Sequence, residues 1–392
     1  MNKYFEIFWR FLVLGSISFG GPAAHIGYFR QTFVDKYKWL DNEAYARTVA
    51  LSQFLPGPGS SQVGFSLGYQ RAGVFGGFAA FLGFTFPSVL IMLTLALIGQ
   101  QFADTITFKG AVYGLKLLAV VVVFDAIVTM AKAFCRRRLH QLIAVITAVL
   151  LTLYASSYLQ ISLLVIFAIF GYFFSAHSSA ESVVKEQSSK GFNKISIIAL
   201  IAFITLFVIS PLLVKQGAIF DVFNNFYQAG SLVFGGGHVV LPLLEQSVAP
   251  SMSADQFLMG YAAAQAVPGP MFTLATFLGA QLSDTSPILM ALVATGAIFL
   301  PGFLLIIAFH NAWQILSSNL KVTSAMMAVN ASVVGLLVAA FYQPILISAI
   351  HSVIDVGCVV VGYALLKLAR VPIVALVATF CTLGVLLIQV NF

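Results

Sequence analysis

Two Pro-Gly-Pro triplets, Pro56-Gly57-Pro58 and Pro268-Gly269-Pro270, stand inside apolar stretches of the chain. Proline removes a backbone donor and clashes with the preceding helical turn, so two prolines around one glycine break a helix. After the first break, Gly59, Ser60, Ser61 and Gln62 would head a new half-helix; Met271, Phe272 and Thr273 come after the second. A helix N-terminus offers free N–H groups and a positive dipole end, which suit an oxyanion. Kinks made only for packing are the plainer alternative, and the symmetric recurrence speaks against it. A second pair of breaks is Phe19-Gly20-Gly21-Pro22 and Phe234-Gly235-Gly236-Gly237. Their glycines either bring backbone amides to a ligand or let helices pack closely.

Ionisable residues inside apolar segments come next, because a charge in a bilayer is costly and rarely idle. Lys116 sits eight residues into its segment and is the best cation for an anion, with snorkelling to the interface as the plain alternative. Asn330 occupies the matching position in the second half of the chain. Asp125 lies nine residues beyond Lys116, two and a half turns, so the two cannot pair along one helix face. Asp125 is left to take up a proton or to pair with Arg71 or another base. His25 and His238 come just after the two glycine clusters, and histidine is the side-chain type whose ordinary pKa lies near neutral pH, which makes them proton-coupling candidates; a structural hydrogen-bonding role is favoured. No hydrolase, metalloprotease or nucleotide-binding motif occurs, and no His/Cys cluster suggests a metal. Neither a cofactor nor an ATPase engine is expected, so transport would draw on an ion gradient, a substrate gradient or a partner.

These residues are carried by a chain of 392 residues that is 60% hydrophobic and 8% charged. A soluble surface needs roughly a quarter of residues charged, so the composition indicates a membrane protein whose main partner is the lipid bilayer. No period-2 alternation marks a barrel, and the segments read as helices. The net charge of +7 is confined to short loops, which fits orientation in a membrane and not nucleic-acid binding. Cys135, Cys358 and Cys381 show no paired spacing, and the N-terminus lacks a signal-peptide pattern.

Apolar segments fall at 5–29, 48–70, 73–103, 108–131, 139–156, 159–176, 195–214, 218–244, 254–282, 286–313, 322–342, 344–366 and 371–390. Besides the paired breaks, Gly15-Ser16 recurs as Gly230-Ser231 and Phe86-Pro87 as Leu300-Pro301, all in one order at nearly constant offset. That is a duplication. The basic loop Arg30 to Arg47 matches a loop, Leu241 to Asp255, without Lys or Arg; Arg136-Arg137-Arg138 matches a neutral turn; Lys367 and Arg370 match the uncharged Ser156-Ser157. By the positive-inside rule the copies are inverted, with 195–214 as the extra span. The expected architecture is an all-α polytopic membrane protein with two inverted-topology repeats and broken, re-entrant helices. It divides into a repeat at 1–176, a polar cytoplasmic linker at 177–194, a connecting helix at 195–214 and the inverted repeat at 215–392. Full crossing of every segment gives 13 spans; re-entrant hairpins at 5–29, 48–70, 218–244 and 254–282 leave nine, the preferred version. Both put the N-terminus in the cytoplasm and the C-terminus outside. Inverted repeats are typical of secondary transporters with a site at mid-depth.

The run from Gly15 to Ile26, then Trp39-Leu40, then Ser52-Gln53-Phe54-Leu55-Pro56-Gly57-Pro58, resembles the chromate ion transporter (CHR) family in its long, two-domain form. Phe234-Gly235-Gly236-Gly237-His238-Val239-Val240 and Gln265-Ala266-Val267-Pro268-Gly269-Pro270 resemble the family's other half. The resemblance covers essentially the whole chain. It implies export of chromate, a tetrahedral dianion, across the inner membrane of a bacterial-type cell, with the two Pro-Gly-Pro turns, the Gly-Gly turns and Lys116 carrying the site. Sulfate or another small anion is the alternative substrate, and a homodimer has room in this picture. An intramembrane enzyme is disfavoured by the missing nucleophile–base pair, and a scaffold by the broken helices.

Overall fold

Asn2 accepts the Tyr4 N–H and starts helix α1 (Lys3–Ile17), in which Glu6 and Arg10 pair one turn apart at 2.6 Å. The helix stops where Gly20 and Gly21 take φ values of +102° and +75°, a region open chiefly to glycine. Gly21 then opens α2 (Gly21–Phe29), which runs into a π-helical turn over Arg30–Lys36. The segment 5–29 is therefore two helices. The wider turn brings Phe33 inward to stack on Phe11 at 4.6 Å and on Trp39 at 4.4 Å. Asp41 caps α3 (Asn42–Phe54) by accepting the Ala44 N–H at 2.7 Å.

The structure is a computed structural model that describes residues 2–102, 105–154, 156–174, 192–234, 240–248, 251–283, 285–313 and 319–390. Among the described residues there is helix and no strand. The linker 177–194 lies almost wholly outside them.

Helix α4 (Gly59–Phe102) is a hairpin and not one rod. Ala72 (φ −148°) and Gly73 (φ +67°) leave the helical region and split it into arms 59–71 and 74–102. The arms lie backbone to backbone, since a Cβ on Gly68 would strike the Gly76 carbonyl and one on Gly76 the Gly68 carbonyl. Helix α1 rests on the second arm in the same manner, Gly15 against the Phe84 carbonyl. The later half repeats this local packing. Helix α9 (Ala218–Leu232) lies on α13 (Pro287–Phe309) with Gly230 against the Ile298 carbonyl, and α12 (Leu274–Gln281) folds back on α13 with Gly279 against Met290 and Ala291. Close backbone approach through glycine is the usual glue of helices in lipid.

Helices α5 (Ile106–Phe134), α6 (Arg138–Leu153), α7 (Ser157–Phe173) and α8 (Lys194–Leu213) come after α4. The later half adds α10 (Val240–Val248), α11 (Ala254–Ala266), α14 (Leu320–Ala340), α15 (Val353–Lys367) and α16 (Ile373–Val390). These pack crosswise. Helix α5 lies against α15 and α16, while α14 lies against α6 and α7, so each takes the last two helices of the other half. Gly114 abuts the Phe380 carbonyl and Gly384 the Gly110 carbonyl; across the molecule Gly335 abuts the Ala144 carbonyl and Gly171 the Ser324 carbonyl. One apolar core consequently runs through both halves, and a smaller one gathers Phe11, Phe29, Phe33 and Phe84 beneath α1 and α2.

Five helical stretches among the described residues are long and apolar enough to cross a bilayer: Gly59–Gly99, Ile106–Phe134, Lys194–Gln216, Pro287–Phe309 and Leu320–Ala349. Shorter apolar helices accompany them. Helix α8 turns Ile198, Ile204, Val208 and Leu212 outward, a face suited to hydrocarbon. The chain is an all-α, multi-pass membrane protein.

Candidate functional site

Proline bars the residue before it from the helical region, so α3 and α11 both end extended, Leu55 at φ −80°, ψ 149° and Val267 at φ −80°, ψ 139°. Gly57 and Gly269 come next with φ +128° and +98°. Each triplet is then anchored in the other half. The Gly57 N–H donates to the Val233 carbonyl at 2.7 Å, and the Gly269 N–H donates to the Ser18 carbonyl at 2.9 Å. Ser18 and Val233 close α1 and α9, the helices that precede the two glycine clusters. The carbonyls freed by the prolines are also met. Gln62 Nε2 donates to Pro56 O at 2.8 Å and to Gly302 O at 3.2 Å, while Ser88 Oγ donates to Pro268 O at 2.6 Å. Irregular backbone in a membrane survives only when satisfied in this way.

His25 joins the pieces of the first half. Its Nε2 lies 3.1 Å from Ser18 O, which can only accept, so Nε2 carries the proton; Nδ1 then accepts from Ser60 Oγ at 3.2 Å. The ring is fully buried and meets Phe84 edge-on. One carbonyl, Ser18 O, thus collects the glycine cluster, the first Pro-Gly-Pro break through Ser60 and the second break through Gly269. With both nitrogens engaged, His25 is a strut. His25→Leu is expected to leave Ser60 without its partner and to cost about 1–3 kcal/mol, seen as a lower thermal midpoint in detergent, with His25→Gln recovering part of it.

Beyond the prolines the two breaks diverge. Gly59 opens a regular helix whose first turn holds buried Ser60, Ser61 and Gln62. Two buried atoms on that turn have no hydrogen-bond partner, Ser61 Oγ and Gln62 Oε1, and among the other described residues of the first half Ser18 Oγ and Thr85 Oγ1 also lack one. Such groups are rare in native proteins and call for a ligand or water. The second break runs instead into a 3-10 turn at Met271–Thr273, where Thr273 Oγ1 donates back to Pro270 O at 2.8 Å. Its surroundings are buried and apolar. Among the described residues, the first break has an unpartnered buried hydroxyl, Ser61, in its helix turn, whereas Ser88 and Thr273 at the second are already bonded to proline carbonyls.

The charges lie elsewhere. Lys116 on α5 pairs with Asp255 at the head of α11 at 2.6 Å. Asp125 pairs with Lys367 at 2.6 Å, whereas Arg71 stacks over Trp39 at 5.3 Å; of the bases left open for Asp125, Lys367 is its partner. Lys116 lines a cavity of about 550 Å³ with Phe108, Lys109, Tyr113, Ser253 and Gln256, apart from the Pro-Gly-Pro residues. The candidate cation for an anion is thus paired with a carboxylate in this structure. Asn330 is buried on α14 and its Oδ1 lacks a partner. Gly235, Gly236 and His238 lie outside the described residues. Sequence reading missed Ser18, Ser88, Val233, Asp255 and Gly302. Ser88 and Gly302 each stand directly after a repeated proline, Pro87 and Pro301, and that position was the available signal.

A family model described as "Chromate transporter" matches residues 5–174 and again 220–385. The chain belongs to the chromate transporter family. It is 28% identical over 348 residues to an uncharacterised transporter of Methanocaldococcus jannaschii, covering 85% of this chain and 82% of that one. It is 26% identical over 344 residues to the chromate transport protein of Pseudomonas aeruginosa, covering 86% and 79%. With the chromate transport protein of Cupriavidus metallidurans it shares 25% identity over 302 residues, covering 75% and 71%. No solved structure matches it. Chromate transporter family members are transport proteins and not enzymes.

Proposed function

We propose that this chain is a secondary transporter that exports chromate across the cytoplasmic membrane, with the oxyanion held near mid-depth where the two broken helices cross. The observation that carries this is the reciprocal anchoring, Gly57 N–H to Val233 O and Gly269 N–H to Ser18 O, beside the unpartnered Ser61 hydroxyl in the first turn of α4. A tetrahedral dianion accepts hydrogen bonds on every side. Hydroxyls and the N–H groups at the head of α4 supply donors, and the dipole end supplies positive potential. Pro56, Gly57 and Pro58 shape the first wall, Pro268, Gly269 and Pro270 the second. The name and coverage of the Pseudomonas aeruginosa relative support chromate as the dianion.

The inverted arrangement has independent support. Local packing recurs pair by pair, and the family model matches twice. Basic residues Arg136, Arg137, Arg138, Lys367 and Arg370 gather at one end of α5 and α15, the cytoplasmic end by the positive-inside rule. That reading leaves the N-terminus inside and the C-terminus outside, with repeats at 1–176 and 215–392 joined through 195–214. Helices α1, α2, α3, α9, α10, α11 and α12 have 8 to 15 residues, short of the ~20 needed to cross, which supports re-entrant hairpins at the broken segments. Rocking of one repeat on the other about the crossing would expose the site alternately.

Chromate accumulation in cells tests this. Cells with the wild-type chain should hold less chromate than cells without it, and Pro56→Ala/Pro268→Ala at equal membrane abundance should abolish the difference. Unchanged accumulation with well-inserted wild type would sink chromate as substrate and move attention to sulfate.

A further inference from the structure

Lys116 and Asp255 come from different halves, and their pairing is unequal: the lysine side chain is 11% exposed, the aspartate 62%. Packing along α5 fixes the ammonium in the wall of the cavity, whereas the carboxylate reaches it from the open side. A buried ammonium left without an anion is strongly unfavourable. An exposed carboxylate that lets go is rehydrated at little loss. Such a site is built to exchange one anion for another and never to stand empty.

The rest of the cavity has the same character. Lys109 lies two turns before Lys116 on the same face of α5 and also lines the cavity. Ser253 caps α11, whose first turn brings a positive dipole end to the same wall. Tyr113, between the lysines, is tied by its hydroxyl to Asp355 on α15, which holds that side of the wall still. At roughly 30 Å³ for each water, a volume of about 550 Å³ admits a tetrahedral dianion with part of its hydration shell.

We propose that this cavity is an anion vestibule at the outer end of the pathway, and that Asp255 is its resident competing anion. A divalent oxyanion displaces Asp255 from Lys116; when the oxyanion leaves, Asp255 reclaims the lysine. The outward direction rests on the export reading above, the exchange chemistry does not. The device also selects by charge. A dianion outbids a carboxylate for the Lys116 ammonium, whereas chloride brings no more charge than Asp255 itself.

Equilibrium dialysis of the purified full chain in detergent, with radiolabelled sulfate and chromate and with chloride as competitor, tests this. Asp255→Asn is expected to bind the oxyanions about tenfold tighter than wild type, and chloride should now compete. Asp255→Glu should behave as wild type, and Lys116→Met/Asp255→Asn should lose the gain. Unchanged affinity in Asp255→Asn, or a gain that survives removal of Lys116, would overturn the vestibule. Should Asp255→Asn aggregate on size exclusion, Asp255→Ser carries the same reading. If wild type moves no chromate in vesicles while Asp255→Asn still gains sulfate affinity, the chromate reading fails and the vestibule stands.

Discussion

Gly269→Val should reduce chromate flux at least tenfold at equal membrane abundance. At φ +98° a β-branched residue is an outlier, and holding one there costs about 1–3 kcal/mol. Its Cβ would land on Ser88 Oγ and lie 3.3 Å from the Phe84 carbonyl, in a place with no free volume. Overpacking of this kind costs a further ~1–3 kcal/mol. Displacing Ser88 also breaks its bond to Pro268 O, about 1 kcal/mol more. Together these come to about 3–7 kcal/mol, less than the about 5–15 kcal/mol that typically holds a chain folded, so the local crossing opens while the rest stays folded. Opening it removes the Gly269 N–H from Ser18 O and with it the carbonyl that also holds His25. Because about 1.4 kcal/mol is a factor of ten in an equilibrium constant, even a third of the penalty empties the competent state. Gly269→Ala keeps the strain at φ and sheds part of the bulk, so a smaller loss is expected. The measurement is initial flux in membrane vesicles; wild-type flux from Gly269→Val would refute the crossing.

Gly114→Leu should prevent stable insertion. Gly110 and Gly114 stand four residues apart on α5, facing Gly384 of α16. A Cβ on Gly114 would strike the Phe380 carbonyl, and no rotamer relieves a clash with backbone. The two helices must part along their length, at about 3 kcal/mol or more. That contact joins the two halves, since α16 belongs to the later one. Membrane abundance should fall severalfold on a quantitative blot, with early aggregation on size exclusion. Gly217→Leu makes a fair control, because nothing lies near its Cβ and its φ of +150° puts the strain in an exposed turn. Equal abundance of Gly114→Leu and wild type would show that α5 and α16 are not packed this closely.

Much of the helix inventory was legible because breaks are local. Pro-Gly-Pro, Gly20-Gly21 and Ala72-Gly73 announce themselves in consecutive residues, and each does end or bend a helix. The family, too, lay in such motifs. What could not be read was partnership across the chain. Nothing near Gly57 specifies Val233, and nothing near Lys116 specifies Asp255, 139 positions away. Asp255 looked like an ordinary first-turn acid, which it also is. The crosswise packing of α5 and α14 was hidden for the same reason: glycine faces show that a helix is approached, not by which neighbour. The duplicated Pro-Gly-Pro placed a new helical start after each break, and the two starts are unlike. They differ because the residues after the prolines differ, Ser60-Ser61-Gln62 in one and Met271-Phe272-Thr273 in the other.

The most direct measurement is release of radiolabelled chromate from proteoliposomes holding the purified chain, set beside a matched sample carrying Gly57→Val with Gly269→Val. Wild type should empty the vesicles faster than protein-free controls, and the paired variant should fall to the control rate. Release by wild type no faster than control, or equal release by the paired variant, would contradict chromate passage through the crossing of the two broken helices.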